Sequence, residues 1–120
     1  MKYLLMIYVN PSVMAELSEE DQKEVFAAHE RFGALTSEAG ELVGFAALDA
    51  PEATATVRVR DGVPAVTDGP YVEAKEFLAG YYVVDAVTPE RAHELAALIP
   101  DARYTAIEVR PLVNSSGSAN

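Results

Sequence analysis

Tyr3-Leu4-Leu5-Met6-Ile7-Tyr8-Val9 runs from end to end without polar alternation, the pattern of a strand covered on both faces. It has a counterpart late in the chain, Phe77-Leu78-Ala79-Gly80-Tyr81-Tyr82-Val83-Val84. Two such strands predict the centre of a sheet, and the segments around them predict what covers it. Asn10-Pro11-Ser12 breaks the first strand. Ser18 followed by Asp21 resembles a capping box, and Val25, His29, Phe32, Thr36 and Ala39 then recur at helical spacing. That amphipathic helix closes at Gly40, the usual C-terminal position for glycine. Leu42-Val43-Gly44-Phe45-Ala46 reads as a shorter strand.

Between the second and third apolar strands, Thr54 to Arg60 alternates cleanly and should bury one face. Asp61-Gly62 is a two-residue hairpin signal, with Val63 to Thr67 as the return strand. After the second central strand, Thr88-Pro89-Glu90 opens another helix with a capping hydroxyl, a first-turn proline and an acid. Ala92, Leu95, Ala96 and Ile99 form its buried stripe, Pro100 stops it, and Tyr104 to Val109 is the last strand. The order is β-α-β, hairpin, β-α-β. Two right-handed βαβ units give the α+β, ferredoxin-like arrangement, an antiparallel four-stranded sheet with both helices on one face. Its two central strands would be the two that are apolar on both faces. The other sheet face is then apolar and uncovered, so a two-fold homodimer is expected to close it.

A chain of 120 residues with half its residues apolar makes one globular domain. We place that domain at residues 1–112 and a polar tail at 113–120. Nine basic residues against 19 acidic give a net charge of −10, which argues against direct nucleic-acid binding and against docking on anionic membranes. There is no cysteine, so thiolate chemistry and Cys-ligated metals are excluded. The N-terminal apolar run is too short to span a bilayer and lacks a basic flank and cleavage site, so a cytoplasmic location is expected. The two histidines have no ligand-spaced neighbours, and no nucleotide fingerprint or nucleophile elbow is present. No metal and no cofactor is called for.

Thr67-Asp68-Gly69-Pro70-Tyr71-Val72-Glu73-Ala74-Lys75-Glu76 packs a turn, three acids, a tyrosine and a lysine into one loop. Asp68 either caps that turn, as Asp-Gly pairs commonly do, or is presented by it to a site. His29, on the apolar stripe, is either a core imidazole satisfied by a backbone carbonyl or a base facing a cleft. Tyr81 and Tyr82, adjacent in a strand, point to opposite faces, so at most one lines a helix-side cleft. Glu73, Lys75 and Glu76 either orient a polar substrate or form a solvated run. Arg58 and Arg60 share a face of the hairpin.

The opening Met-Lys-Tyr-Leu-Leu-Met-Ile-Tyr, the Thr-Val-Arg-Val-Arg-Asp-Gly hairpin, the Thr67–Glu76 loop, Ala79-Gly80-Tyr81-Tyr82 and the closing Ile107-Glu108-Val109-Arg110-Pro111 together resemble the YCII-related family. The Asp-Gly-Pro-Tyr motif resembles its DGPF subgroup, with Tyr71 in place of the usual Phe. The resemblance implies a dimeric α+β barrel with a cleft in each protomer. It also implies an acid-base pair, for which His29 matches the helix histidine and Asp68 is the candidate acid. Tyr71, Lys75 and Tyr82 are the candidate substrate contacts. Subgroup members often sit beside genes for extracytoplasmic-function sigma factors, which implies a sigma-factor-associated partner. Three readings follow. One is a cofactor-independent enzyme acting on an unknown small molecule through His29 and Asp68. The second is a non-catalytic ligand-binding or regulatory dimer. The third is a structural dimer whose loop merely completes a core.

Overall fold

The computed structural model describes residues 1–72 and 74–116. The candidate contact Glu73 and the last part of the polar tail, 117–120, lie outside the described residues. Six strands and three helices follow in the order β1 (Lys2–Val9), α1 (Pro11–Ala15), α2 (Glu19–Glu38), β2 (Leu42–Ala47), β3 (Ala55–Arg60), β4 (Val63–Asp68), β5 (Phe77–Asp85), α3 (Pro89–Leu98) and β6 (Ala106–Pro111). A 3-10 turn, Pro100–Arg103, lies between α3 and β6. Strands β2-β5-β1-β6 form one antiparallel sheet, with the two fully apolar strands at its centre. The architecture is α+β and consistent with a ferredoxin-like fold.

The helix starts follow local chemistry. Ser18 accepts from the Asp21 amide and Thr88 from the Arg91 amide, so each hydroxyl satisfies an N–H that the first helical turn leaves without a partner. Pro89 follows Thr88 at the first helical position. Gly40, at φ 72°, takes the left-handed conformation that ends α2.

Alternation along the two central strands sends Tyr3, Leu5, Ile7, Tyr82 and Val84 to the face under the helices, where they meet Phe32, Leu95 and Ile99. Leu5, Val84, Leu95 and Ile99 are fully buried, each contributing about 1.5–3 kcal/mol. The opposite residues of the same strands, Leu4, Met6, Tyr81 and Val83, are only partly buried. Gly80 lets β2 approach closely: a Cβ there would lie 2.6 Å from the Ala46 carbonyl oxygen.

The hairpin departs from the sequence expectation. Asp61 and Gly62 both take positive φ, 52° and 75°, the turn that a two-residue hairpin requires. Yet β3 and β4 form a sheet of their own, and both faces are open. Val57, Val59 and Val66 are 62–66% exposed. The radius of gyration, 16.4 Å, exceeds the roughly 13–14 Å expected for a compact chain of this length, as a projecting ribbon requires.

Arg91 on α3 makes a bidentate pair with Glu41 at the entry to β2, both contacts at 2.9 Å. Hydrogen bonding to Arg91 holds the Glu41 carboxyl below its ordinary value. The pair's stabilisation is therefore present above the ordinary carboxylate range and lost as pH falls through the lowered value. Glu41→Gln should lower the denaturant midpoint at neutral pH, and the gap from the parent should narrow as pH falls through the lowered carboxyl value; a gap that does not change with pH would contradict the pairing.

Candidate active site

His29 sits in the middle of α2, one turn before the buried Phe32, so the helix aims its imidazole at the sheet. Tyr82 rises to meet it from the helix side of β5. Its hydroxyl lies 2.8 Å from Nδ1, and the two rings stack with centroids 5.9 Å apart. Phe32 also packs against Tyr82, centroids 4.5 Å apart with the rings tilted by 55°, which helps hold the phenol in place. The second ring nitrogen, Nε2, lies 2.6 Å from Oδ1 of Asp101.

Asp101 comes from the 3-10 turn after α3, between the buried Pro100 and the start of the last strand. Its backbone carbonyl accepts from the amides of Tyr104 and Thr105 at 3.0 and 2.9 Å. The Thr105 hydroxyl in turn bonds the Tyr8 carbonyl on β1. The turn is thus tied to the sheet, and the carboxylate is held rather than free to swing. Its side chain is 6% exposed, against 26% for His29. A carboxylate so buried must be hydrogen-bonded, and His29 supplies the donor.

Burial, and then the Asp101 carboxylate nearby, push the Tyr82 phenol above its ordinary value. Tyr82 therefore keeps its proton and donates it to Nδ1. That assigns the other hydrogen to Nε2, which donates to Asp101. The result is a directed chain, Tyr82 O–H to His29, and His29 N–H to Asp101, with the imidazole in one tautomer.

His29 and Tyr82 form part of the wall of a cleft of about 360 Å³ between α2 and β2. Phe26 and Phe45 stand at its rim, each 69% exposed, and Gly33 and Ser37 leave room along the helix. Among the described residues, Glu30 is the one charged residue in the lining, and no cation faces in.

The structure corrects one pairing expected from the sequence. The carboxylate that meets His29 is Asp101, not Asp68. Asp68 ends β4, opposite Ala55 on the exposed ribbon, and the ribbon does not pack on the helix layer that carries His29. Tyr71 and Lys75 are exposed in the following loop. The Arg58 guanidinium lies 5.5 Å over the Tyr71 ring, and Lys75 borders a shallow hollow with Pro51 and Pro70. Neither lines the His29 cleft. Of the five candidates, His29 and Tyr82 are brought together, while Asp68 ends β4 and Tyr71 and Lys75 lie in the segment that joins it to β5. Among the described residues no three His, Asp or Glu side chains converge as metal ligands. Among those residues no helix is long and apolar enough to cross a membrane.

The chain belongs to the YCII-related domain family, whose match covers residues 1–116. It is 33% identical over 114 residues to an uncharacterized protein of Rhizobium meliloti (strain 1021), covering 93% of this chain and 92% of that one.

The raised Tyr82 predicts a late step in tyrosinate absorbance. Tyr8 is raised too, chiefly by its hydrogen bond to Glu108. Tyr82→Phe should remove part of the late-titrating amplitude and Tyr8→Phe another part. An unchanged late phase in Tyr82→Phe would show that the phenol is not held as described.

Proposed function

We propose that the protein is a cofactor-independent small-molecule enzyme whose acid-base group is the chain Tyr82–His29–Asp101. The single observation behind this reading is that the 2.8 Å contact between Tyr82 and His29 lies at the wall of an open cleft, backed by the 2.6 Å contact from His29 to the buried Asp101. The proton path is short. A substrate proton passes to the Tyr82 oxygen as the phenol's own proton moves to His29 Nδ1. The imidazolium that forms keeps its Nε2–H bond to Asp101, whose negative charge stabilises it. Reversing both transfers returns the proton to substrate or to water. Because Tyr82 gives up one proton as it takes another, no free tyrosinate need accumulate. The rim of Phe26 and Phe45 and the absence of a cation in the lining favour a neutral, ring-bearing substrate with an acidic C–H or O–H.

Incubation in heavy water with a panel of aryl ketones and lactones, read by deuterium uptake, tests the assignment. His29→Ala and Asp101→Asn, checked for intact folding, should each lower exchange by about a hundredfold to ten-thousandfold. Asp68→Asn should leave it unchanged. Exchange that survives loss of His29 would remove the catalytic reading.

A second reading is a non-catalytic ligand-binding or regulatory protein. It is favoured by the full satisfaction of both His29 nitrogens, and among the described residues no buried side-chain polar atom lacks a partner. Saturable binding of a panel compound without exchange would select it. The sigma-factor-associated partner implied by the resemblance belongs to this reading, as the Asp68-Gly69-Pro70-Tyr71 motif belongs to the DGPF assignment.

Both readings include a homodimer that closes a dimeric α+β barrel. Its support is the sheet face of Leu4, Met6, Tyr81 and Val83, which the chain's own helices do not cover. Light scattering at micromolar concentration should give twice the chain mass, and Met6→Glu with Val83→Glu should shift it to the single-chain mass. A monomeric parent protein would refute the assembly.

A further inference from the structure

The opposite flank of α2 holds a second cleft, between that helix and the turn Pro100–Arg103, of about 340 Å³. It shares no lining residue with the His29 cleft. Val25, Ala28 and Phe32 line its helix side, and Leu35 and Leu98, about half exposed, flank it. Two guanidinium groups, Arg31 and Arg103, face it as well.

The two arginines are not equivalent. Arg31 is engaged by Glu24, which also lines the cleft. Arg103 is exposed, and no ion pair or hydrogen bond engages its side chain among the described residues. In a chain of net charge −10, the lining carries one acid against two bases. An apolar floor with one uncommitted guanidinium at its edge is complementary to a small amphipathic anion. A carboxylate can take two parallel N–H bonds from Arg103 while its hydrocarbon lies against Val25, Ala28 and Leu98.

We infer that this cleft is a binding site for a small amphipathic carboxylate, of the medium-chain fatty acid or aryl-alkanoate class, with Arg103 as the group that recognises its charge. The site lies in the helix layer, on the far side of the sheet from Leu4, Met6, Tyr81 and Val83. A second copy packed on that sheet face would leave it open. The inference does not depend on whether His29 catalyses anything.

The test uses octanoate, with octan-1-ol as its uncharged counterpart. Amide-resolved NMR titration of the full chain should show saturable shifts at Ala28, Leu35, Leu98 and Arg103 with octanoate. Octan-1-ol should bind the same residues about tenfold or more weaker, the loss expected for a charge-assisted hydrogen bond. Arg103→Ala, at an exposed position, should weaken octanoate by a similar factor and leave octan-1-ol unchanged. Non-saturating shifts, shifts centred on Phe26, Ser37 and Phe45, or equal octanoate affinity in Arg103→Ala would each overturn the assignment.

Discussion

A carboxylate buried in a turn has to be given a hydrogen-bond donor, and the arrangement around Asp101 follows from that requirement. The 3-10 turn after α3 withdraws Asp101 from water, with its backbone tied through Thr105 to β1. The donor within reach is the imidazole on α2. With Nε2–H committed there, the neutral imidazole accepts at Nδ1, and the phenol of Tyr82 is the group that donates. Helix, turn and central strand are locked together by one polar chain running through an otherwise apolar layer. Losing one member would leave the others buried and unpaired, which is costlier than the bonds themselves are favourable.

That chain is both structural and available. It joins three elements, as a core network does, but it ends at a cleft wall rather than inside hydrocarbon. Two of its members, His29 and Tyr82, border that cleft, and Asp101 lies behind them. Phe32 links this side of α2 to the other: its ring supports Tyr82 and also lines the cleft beside Arg103. One helix thus has two lined flanks, one with an acid-base chain and one with an uncommitted cation.

The ribbon of β3 and β4 follows a different logic. Its turn chemistry is local, and Asp61-Gly62 adopts the positive φ pair its residue types favour. Its alternation predicted a buried face, but one chain offers that face nothing to pack on. Val57, Val59 and Val66 remain exposed together, and a two-stranded ribbon has little stability of its own. Asp68, Tyr71 and Lys75 go with the ribbon and its loop, away from the imidazole. A rigid Asp-bearing turn could be read locally, but its address in the fold could not.

The amino-acid order alone determined what is local or periodic. The unbroken apolar runs marked the central strands, Ser18 and Thr88 marked the helix starts, and the stripe through His29, Phe32 and Thr36 marked the face turned to the sheet. Alternation put Tyr81 and Tyr82 on opposite faces but did not say which of the two faces the helices. Only the tertiary structure decided which carboxylate serves His29. Asp101 lies 72 positions away, in a turn where Pro100 signalled a helix end and nothing more. Hydrogen-bond partners across such a separation are chosen by how helix, turn and sheet stack in space. Residue spacing has no access to that distance, because it exists only once the layers have closed.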